Sequence, residues 1–359
     1  MKAVLTYIAL RALNFLAYFT YMHVQHRSWS HVFYRWDSQW YESVATHGYN
    51  YVVQDHGRTL SNEAFFPLFP YLEKLISNIT SLPYIDGGIA ISISAGVVAA
   101  LMIYKSVFLV SNKKVALITV ALWALLPISF VQILSYSETL FTALCASALY
   151  FSIRKNFLVA VCFASFAGLT RPSGLAVSIA VMAAAFIYLR KQRRSRQDPA
   201  TIIAIFLAPV GWLSFVGYLA LKHHDMFAYF KIQRNWGNGF DGGANFLGWI
   251  GNKFSTSPLI GILIALGVLV VIFLLIAAIK RQQPIEFIIF SSIIVFLSFT
   301  TAGYFGSKPR YLMPAYPLLV PIGQWLMSSS NFKRILTLTI LGIVGLTTSV
   351  LTLAGNGPP

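Results

Sequence analysis

Apolar runs of about 18 to 22 residues recur from one end of this chain to the other, each long enough to cross a hydrocarbon core of roughly 30 Å as a helix. Backbone N–H and C=O groups inside lipid must pair within their own segment, so a chain built from such runs folds as a helical bundle. Composition agrees. Of the 359 residues 57% are apolar and only 11% charged, and mean hydropathy is +0.67; a soluble domain carries about one quarter charged residues. The expected fold class is an all-α polytopic membrane protein in one integral membrane domain, residues 1–359.

Run length and periodicity predict about eleven spans, near residues 3–22, 88–110, 115–131, 138–153, 157–170, 174–189, 200–221, 256–279, 285–303, 312–328 and 335–354. The first, from about Val4 to Met22, is too long for a signal peptide and lacks a small-residue cleavage site, so it is expected to be a retained span. With the N-terminus placed in the cytoplasm, each short inner loop carries basic residues. These are Lys113 and Lys114, Arg154 and Lys155, the run "RKQRRSR" from Arg190 to Arg196, Lys280 and Arg281, and Lys333 and Arg334. That is the positive-inside pattern, and it puts the C-terminus outside. The formal charge of +16 is therefore read as orientation rather than nucleic-acid binding. Cys145 and Cys162 both lie in apolar runs, so no disulfide framework and no CxxC pair is present.

The acids fall the other way. Only Asp198 and Glu286 lie on the inner side; Asp37, Glu42, Asp55, Glu63, Glu73, Asp86, Glu138, Asp225 and Asp241 lie outside or near the outer ends of spans. Two outer segments are long, about 23–87 and 222–255, and both are rich in aromatic residues, which argues against disorder. The working surface is expected there.

In "RWDSQWYESVATHGYN", Arg35 to Asn50, Trp36, Trp40 and Val44 recur at i, i+4 and i+8, with Tyr41 beside them and Gly48 as a C-cap. This predicts a helix lying on the membrane surface, aromatics down. Asp37 then starts that helix. Spacing alone leaves two readings of it: an acid favoured by the helix dipole, or a chemical group. Glu42 is expected on a solvated face. In "NEAFFPLFPYLEKL", Pro67 and Pro70 rule out an ordinary helix interior and predict a broken piece followed by a short helix, either a packing plug or a cavity lining. "SYSETLF" places Glu138 at the outer start of a span. "LTRPSGL" places Arg171 among apolar neighbours, where it either snorkels or meets an anion. His223 and His224 lack the spacing of a metal site. Lys308 and Arg310, at a proline-rich span entrance, suit either lipid phosphates or, with Arg171, a substrate phosphate or pyrophosphate.

In order along the chain stand "WDSQWYESVATHGY", "FFPLFP", "SYSETLF", "TRPSGL", "FAYFKIQRNWG" and "RYLMPAYPLL". This series, from about residue 30 to about 320, resembles the GPI mannosyltransferase 2 (PIG-V) family and its bacterial relatives, integral membrane glycosyltransferases of the GT-C superfamily. The resemblance implies an inverting transfer of a sugar, usually mannose, from a polyprenyl- or dolichyl-phosphate carrier to a glycan or glycolipid acceptor on the non-cytoplasmic face. It implies that Asp37 is the catalytic acid of the first outer loop. Substrate contacts are then expected of Trp36, Trp40, Tyr41, Glu63, Glu138, Arg171, Arg234, Trp236, Lys308, Arg310 and Tyr311. No cofactor and no metal are expected, since no DxD-like pair stands at a membrane boundary. The compact chain suggests the bacterial plasma membrane, or the endoplasmic reticulum if eukaryotic. The alternatives are a transporter or flippase of lipid-linked sugars, which would need charges inside spans, and a non-catalytic membrane assembly subunit in which Asp37 only caps a helix.

Overall fold

Capping residues and prolines decide where the apolar runs become helices. The computed structural model describes residues 1–55, 57–192 and 198–355, so most of the basic run at 190–196 lies outside the described residues. Helix α1 (Lys2–Val24) leads into a loop layer holding α2 (Trp29–Phe33), α3 (Asp37–His47), a hairpin of β1 (Val52–Asp55) and β2 (Arg58–Ser61), and α4 (Leu68–Thr80). The bundle resumes with α5 (Tyr84–Val110), α6 (Lys113–Ala124), α7 (Ser137–Ile153), α8 (Phe157–Gly168), α9 (Gly174–Lys191), α10 (Pro199–Leu207) and α11 (Val210–Lys222). A second loop segment carries α12 (Ala228–Asn235) and α13 (Ala244–Thr256). The chain closes with α14 (Pro258–Lys280), α15 (Ile285–Thr300), α16 (Lys308–Leu312), α17 (Val320–Ser328) and α18 (Asn331–Ala354).

Helices stand at every expected span, but not all are of spanning length. Among the described residues six are long and apolar enough to cross a membrane: α1, α5, α9, the α10–α11 pair, α14 and α18. Helices α7, α8 and α15 are shorter apolar helices. The run expected to end at 131 leaves the helix after Ala124, two residues before the proline-restricted Leu126, and continues as a tight turn over Ser129–Ile133. The run expected at 312–328 is divided by Pro314 and Pro317 into α16, a short turn at Tyr316–Leu319 and α17. Side-chain caps fix other starts: Asn112 accepts from the amides of Lys114 and Val115, and Ser330 from that of Lys333.

The bundle packs through small residues. Ala95, Ala99, Ala143, Ala146, Ala164 and Ala180 are all buried in one core, which lets α5, α7, α8 and α9 approach closely, as membrane helices do. Charges were expected to keep to loops and span ends, and Arg11 departs from this. It lies midway along α1 and is buried, donating to the carbonyl of Ser129 at 2.7 Å and to that of Ala124. The break after α6 frees these carbonyls, and a buried arginine satisfies them.

The loop layer closes on itself rather than lying flat on lipid. Val44 is fully buried with Tyr49, Phe66 and Phe215; Trp40 stacks on Phe65 and meets the edge of Trp236, ring centroids 4.6 Å apart. The tryptophan stripe of α3 therefore packs on protein, which corrects the expected membrane-surface helix. Trp236 also donates its indole N–H to the Ser61 carbonyl, tying the second loop segment to the hairpin. Pro67 caps α4 and Pro70 occupies its first turn, where a missing N–H leaves no helix bond unmade. The hairpin is an addition to the expected all-helical loops; Gly57, with φ of +76°, supplies its turn.

Candidate active site

Four charged side chains from four distant parts of the sequence converge beneath the start of α3. Gly48, at φ +67°, ends that helix as expected, and Asp37 stands at its first position. The residue before it, Trp36, has φ +58° and ψ −126°, a conformation L-residues rarely adopt. Arg35 holds it there: its guanidinium lies 4.1 Å from the Trp36 ring and donates to the carbonyls of Leu353 and Gly355 at the end of α18. Backbone strain of this kind persists where the surroundings over-determine it, and here it fixes the turn from which Asp37 starts α3.

Asp37 Oδ2 lies 2.8 Å from an Arg310 nitrogen. Arg310 Nε lies 3.0 Å from Glu138 Oε1, and Arg171 lies 2.7 Å from the same oxygen. Arg171 donates to Ser137 Oγ at 2.9 Å, and the Tyr41 hydroxyl meets that same oxygen. The Asp37 amide points at the Tyr136 hydroxyl, 3.4 Å away. The rings of Tyr136 and Tyr311 lie 5.1 and 5.6 Å from the Arg310 guanidinium carbon, and Tyr311 is shared with Arg171 at 5.8 Å. Glu138 and Arg310 are buried, while the Asp37 side chain is 24% exposed and is the solvent-facing member.

The electrostatics follow from burial. Desolvation disfavours charge on both guanidiniums; the carboxylates outweigh it, holding Arg310 well above, and Arg171 above, the usual arginine value. Burial raises the Tyr41 and Tyr136 hydroxyls, so both stay protonated. Two cations and two anions leave the network neutral. Glu138 is a counter-ion by distance alone, since among the described residues neither of its buried oxygens accepts a hydrogen bond.

The remaining expected residues go elsewhere. Lys308 was expected to join Arg171 and Arg310, but its ammonium donates to the Thr301 carbonyl and lies 5.7 and 5.6 Å from the Phe246 and Phe305 ring centroids. Burial lowers it to about 8, with Asp241 opposing. Residues two apart on a helix do not face each other, which separates Lys308 from Arg310. Glu63 forms a latch with Lys222 and His223, at 2.7 and 2.8 Å, joining the first loop segment to the end of α11. Arg234 is exposed at the end of α12. Glu42, expected on a solvated face, is half-buried and lines a cavity of about 440 Å³ with Trp40, His47 and Tyr51. Tyr136 and Ser137 were missed, although both stand in the motif that carries Glu138. Among the described residues no group of three or more His, Cys, Asp or Glu side chains is placed to hold a metal ion.

No family model and no curated protein matches the chain. Solved structures do. ArnT from Cupriavidus metallidurans, bound to undecaprenyl phosphate, superposes with a TM-score of 0.57 at 12% identity, over 98% of this chain and 66% of that one. The fold is of the GT-C type. The apo form of the same ArnT gives 0.57 at 14% identity, covering 98% and 65% of the two chains. An Archaeoglobus fulgidus oligosaccharyltransferase, in complex with Zn and sulfate, gives 0.50 at 15%, covering 99% and 53%. The chain thus spans about two thirds of the length of the first neighbour and about half of the last. At these identities the likeness establishes the GT-C fold.

Proposed function

We propose that the chain is an inverting membrane glycosyltransferase that moves a mannosyl or other hexosyl residue from a polyprenyl- or dolichyl-phosphate carrier to a glycan or glycolipid acceptor on the non-cytoplasmic face. The Asp37–Arg310–Glu138–Arg171 network carries this reading: an acid open to solvent, backed by two arginines held charged in a buried site. Two observations on neighbours add to it, one being an oligosaccharyltransferase and another having been solved with undecaprenyl phosphate bound. The basic inner loops support a cytoplasmic N-terminus and an outer C-terminus.

The ion pairs suggest how the step is ordered. In the free enzyme Asp37 is engaged by Arg310. A carrier phosphate arriving at Arg310 competes for the same guanidinium and releases the carboxylate. Asp37 then accepts the proton of the acceptor hydroxyl as its oxygen bonds to the anomeric carbon. The bond from that carbon to the phosphate oxygen breaks on the opposite face, and the phosphate leaves with the electron pair, so configuration inverts. Arg310 and Arg171 stabilise the departing charge. Glu138 keeps both arginines in place. Lys308, bonded to the Thr301 carbonyl, stays outside this step, and the scheme uses no metal.

The test is transfer by the purified protein from polyprenyl-phosphate-mannose to a panel of glycan and glycolipid acceptors. The wild type is expected to form product of inverted configuration, and Asp37→Asn to lose about 10²–10⁴-fold in kcat. A folded Asp37→Asn enzyme with wild-type turnover would remove Asp37 from the mechanism. A wild type that transfers nothing from any lipid-phosphate sugar would overturn the reading.

A further inference from the structure

Among the described residues four glutamates are buried, and three of them are paired. Glu63 has Lys222 and His223, Glu138 has Arg171 and Arg310, and Glu286 has Lys155. Glu73 is the exception. It lies on α4 with no exposed surface, and no cation acts on it among the described residues. One carboxyl oxygen contacts the Ser135 hydroxyl; the other is buried and without a partner among the described residues. An ionised carboxylate so placed would suffer the full penalty of desolvation, which proteins avoid by leaving the group protonated.

The surroundings are shaped around that contact. Gly88 of α5 faces it, and a Cβ there would overlap both Glu73 Oε1 and Ser135 Oγ. Ser135 opens the stretch Ser135–Tyr136–Ser137–Glu138, whose next three side chains face Asp37, Arg171 and Arg310. Ser92 of α5 holds the same stretch through the Tyr136 carbonyl at 3.1 Å. Two elements therefore grip one short segment from behind while its front carries the arginines' counter-ion.

We propose that Glu73 is a positioning residue for the candidate active site, acting as a neutral carboxylic acid whose Oε1 accepts from the Ser135 hydroxyl and so fixes the segment bearing Tyr136, Ser137 and Glu138. The inference rests on the glycosyltransferase reading only for its kinetic consequence; the protonation state stands apart from it. Burial is the main influence holding the proton on, and it outweighs the Ser135 hydroxyl, whose hydrogen bond acts the other way. The charged group facing Glu73 from a packed helix is Glu42 of α3, a like charge that acts in the same direction. Asp86 of α5 is engaged elsewhere, by the Trp29 indole and the Tyr34 hydroxyl. Tyr136, the titratable group of the gripped segment, is itself held protonated by burial. The sign of the linkage is fixed by this. The folded state keeps the proton above the usual carboxylate pKa while the unfolded state has lost it, so stability falls as pH rises from that value toward the folded one.

The decisive experiment compares the intact wild-type protein with Glu73→Gln and Glu73→Ala. Infrared difference spectra of wild type against Glu73→Gln at pH 7 are expected to show a protonated carboxyl C=O band that the variant lacks. In the transfer assay Glu73→Gln is expected to stay within about twofold of wild type in kcat, and Glu73→Ala to fall about tenfold or more, about 1.4 kcal/mol by the standard conversion, with donor KM little changed. The Glu73→Gln variant should also lose part of the decline of melting temperature with rising pH. A carboxylate band in place of the acid band at pH 7 overturns the proposal, as does a Glu73→Gln enzyme as impaired as Glu73→Ala. If the wild type transfers no sugar, the glycosyltransferase reading fails, and the infrared band still decides the state of Glu73.

Discussion

The segment Ser135–Glu138 has two sides, and they solve the same problem in opposite ways. In front, Glu138 is buried against two arginines that are held charged. Behind, Glu73 is buried against a serine and a glycine and meets no cation. The first arrangement makes a charged centre that a phosphate can enter by exchange. The second makes a neutral support. Burial alone does not say what an acid does; its partners decide whether it keeps a charge, and the charge decides whether it can take part in chemistry.

The comparison breaks most sharply at Glu138. Glu138→Ala leaves two buried guanidiniums sharing one partly exposed carboxylate and is expected to cost about 3–5 kcal/mol, read as a large drop in detergent melting temperature. Loss of one counter-ion from the front should thus far exceed Glu73→Gln, which replaces one neutral group behind with another. Gly88→Ala probes the rear by overpacking rather than by charge. It should cost about 1–3 kcal/mol through the overlap with Glu73 and Ser135, and Ser135→Ala in the same background should recover part of the loss.

Lys308 sharpens the contrast by pH. Burial lowers it to about 8, so its charge fades above that value, while affinity for polyprenyl phosphate, which rests on Arg310 and Arg171, should change by less than about twofold up to the ordinary lysine range. The folded lysine releases its proton before the unfolded one, so its linkage raises stability across this window, read as a melting temperature that Lys308→Met should make less dependent on pH. The smallest effect is expected at the latch. Lys222 and His223 are 27% and 41% exposed, so Glu63→Gln should cost only about 0.2–1 kcal/mol in melting experiments, with transfer retained.

Much of the architecture was legible in the sequence because lipid imposes one rule on every span. Run length located the helices, but the spans read at 115–131 and 312–328 ran through Pro127, Pro314 and Pro317, where the chain breaks. Asp37, Glu138, Arg171 and Arg310 were each singled out, the two arginines together as cations for one phosphate, but the acids were not matched to them. Their pairing depends on bringing positions 37, 138, 171 and 310 together, which no local pattern encodes. The two-residue spacing of Lys308 and Arg310 was a missed signal that they would part. The hairpin had signals too, β-branched Val52, Val53 and Thr59 around Gly57. Glu73, beside Lys74 on an amphipathic helix, reads as an ordinary outer acid; only the packing of α5 shows it sealed. Trp40 read as a membrane anchor because an aromatic stripe looks the same whether lipid or Trp236 lies against it.

The central claim is that Arg310 exchanges Asp37 for the carrier phosphate. Equilibrium binding of polyprenyl phosphate to wild type and Asp37→Asn, in detergent at fixed pH and salt, tests it without any acceptor. With the competing carboxylate gone, Asp37→Asn should bind the lipid phosphate about tenfold more tightly, ~1.4 kcal/mol, while transferring almost no sugar. Equal or weaker binding by a folded Asp37→Asn protein would contradict the exchange.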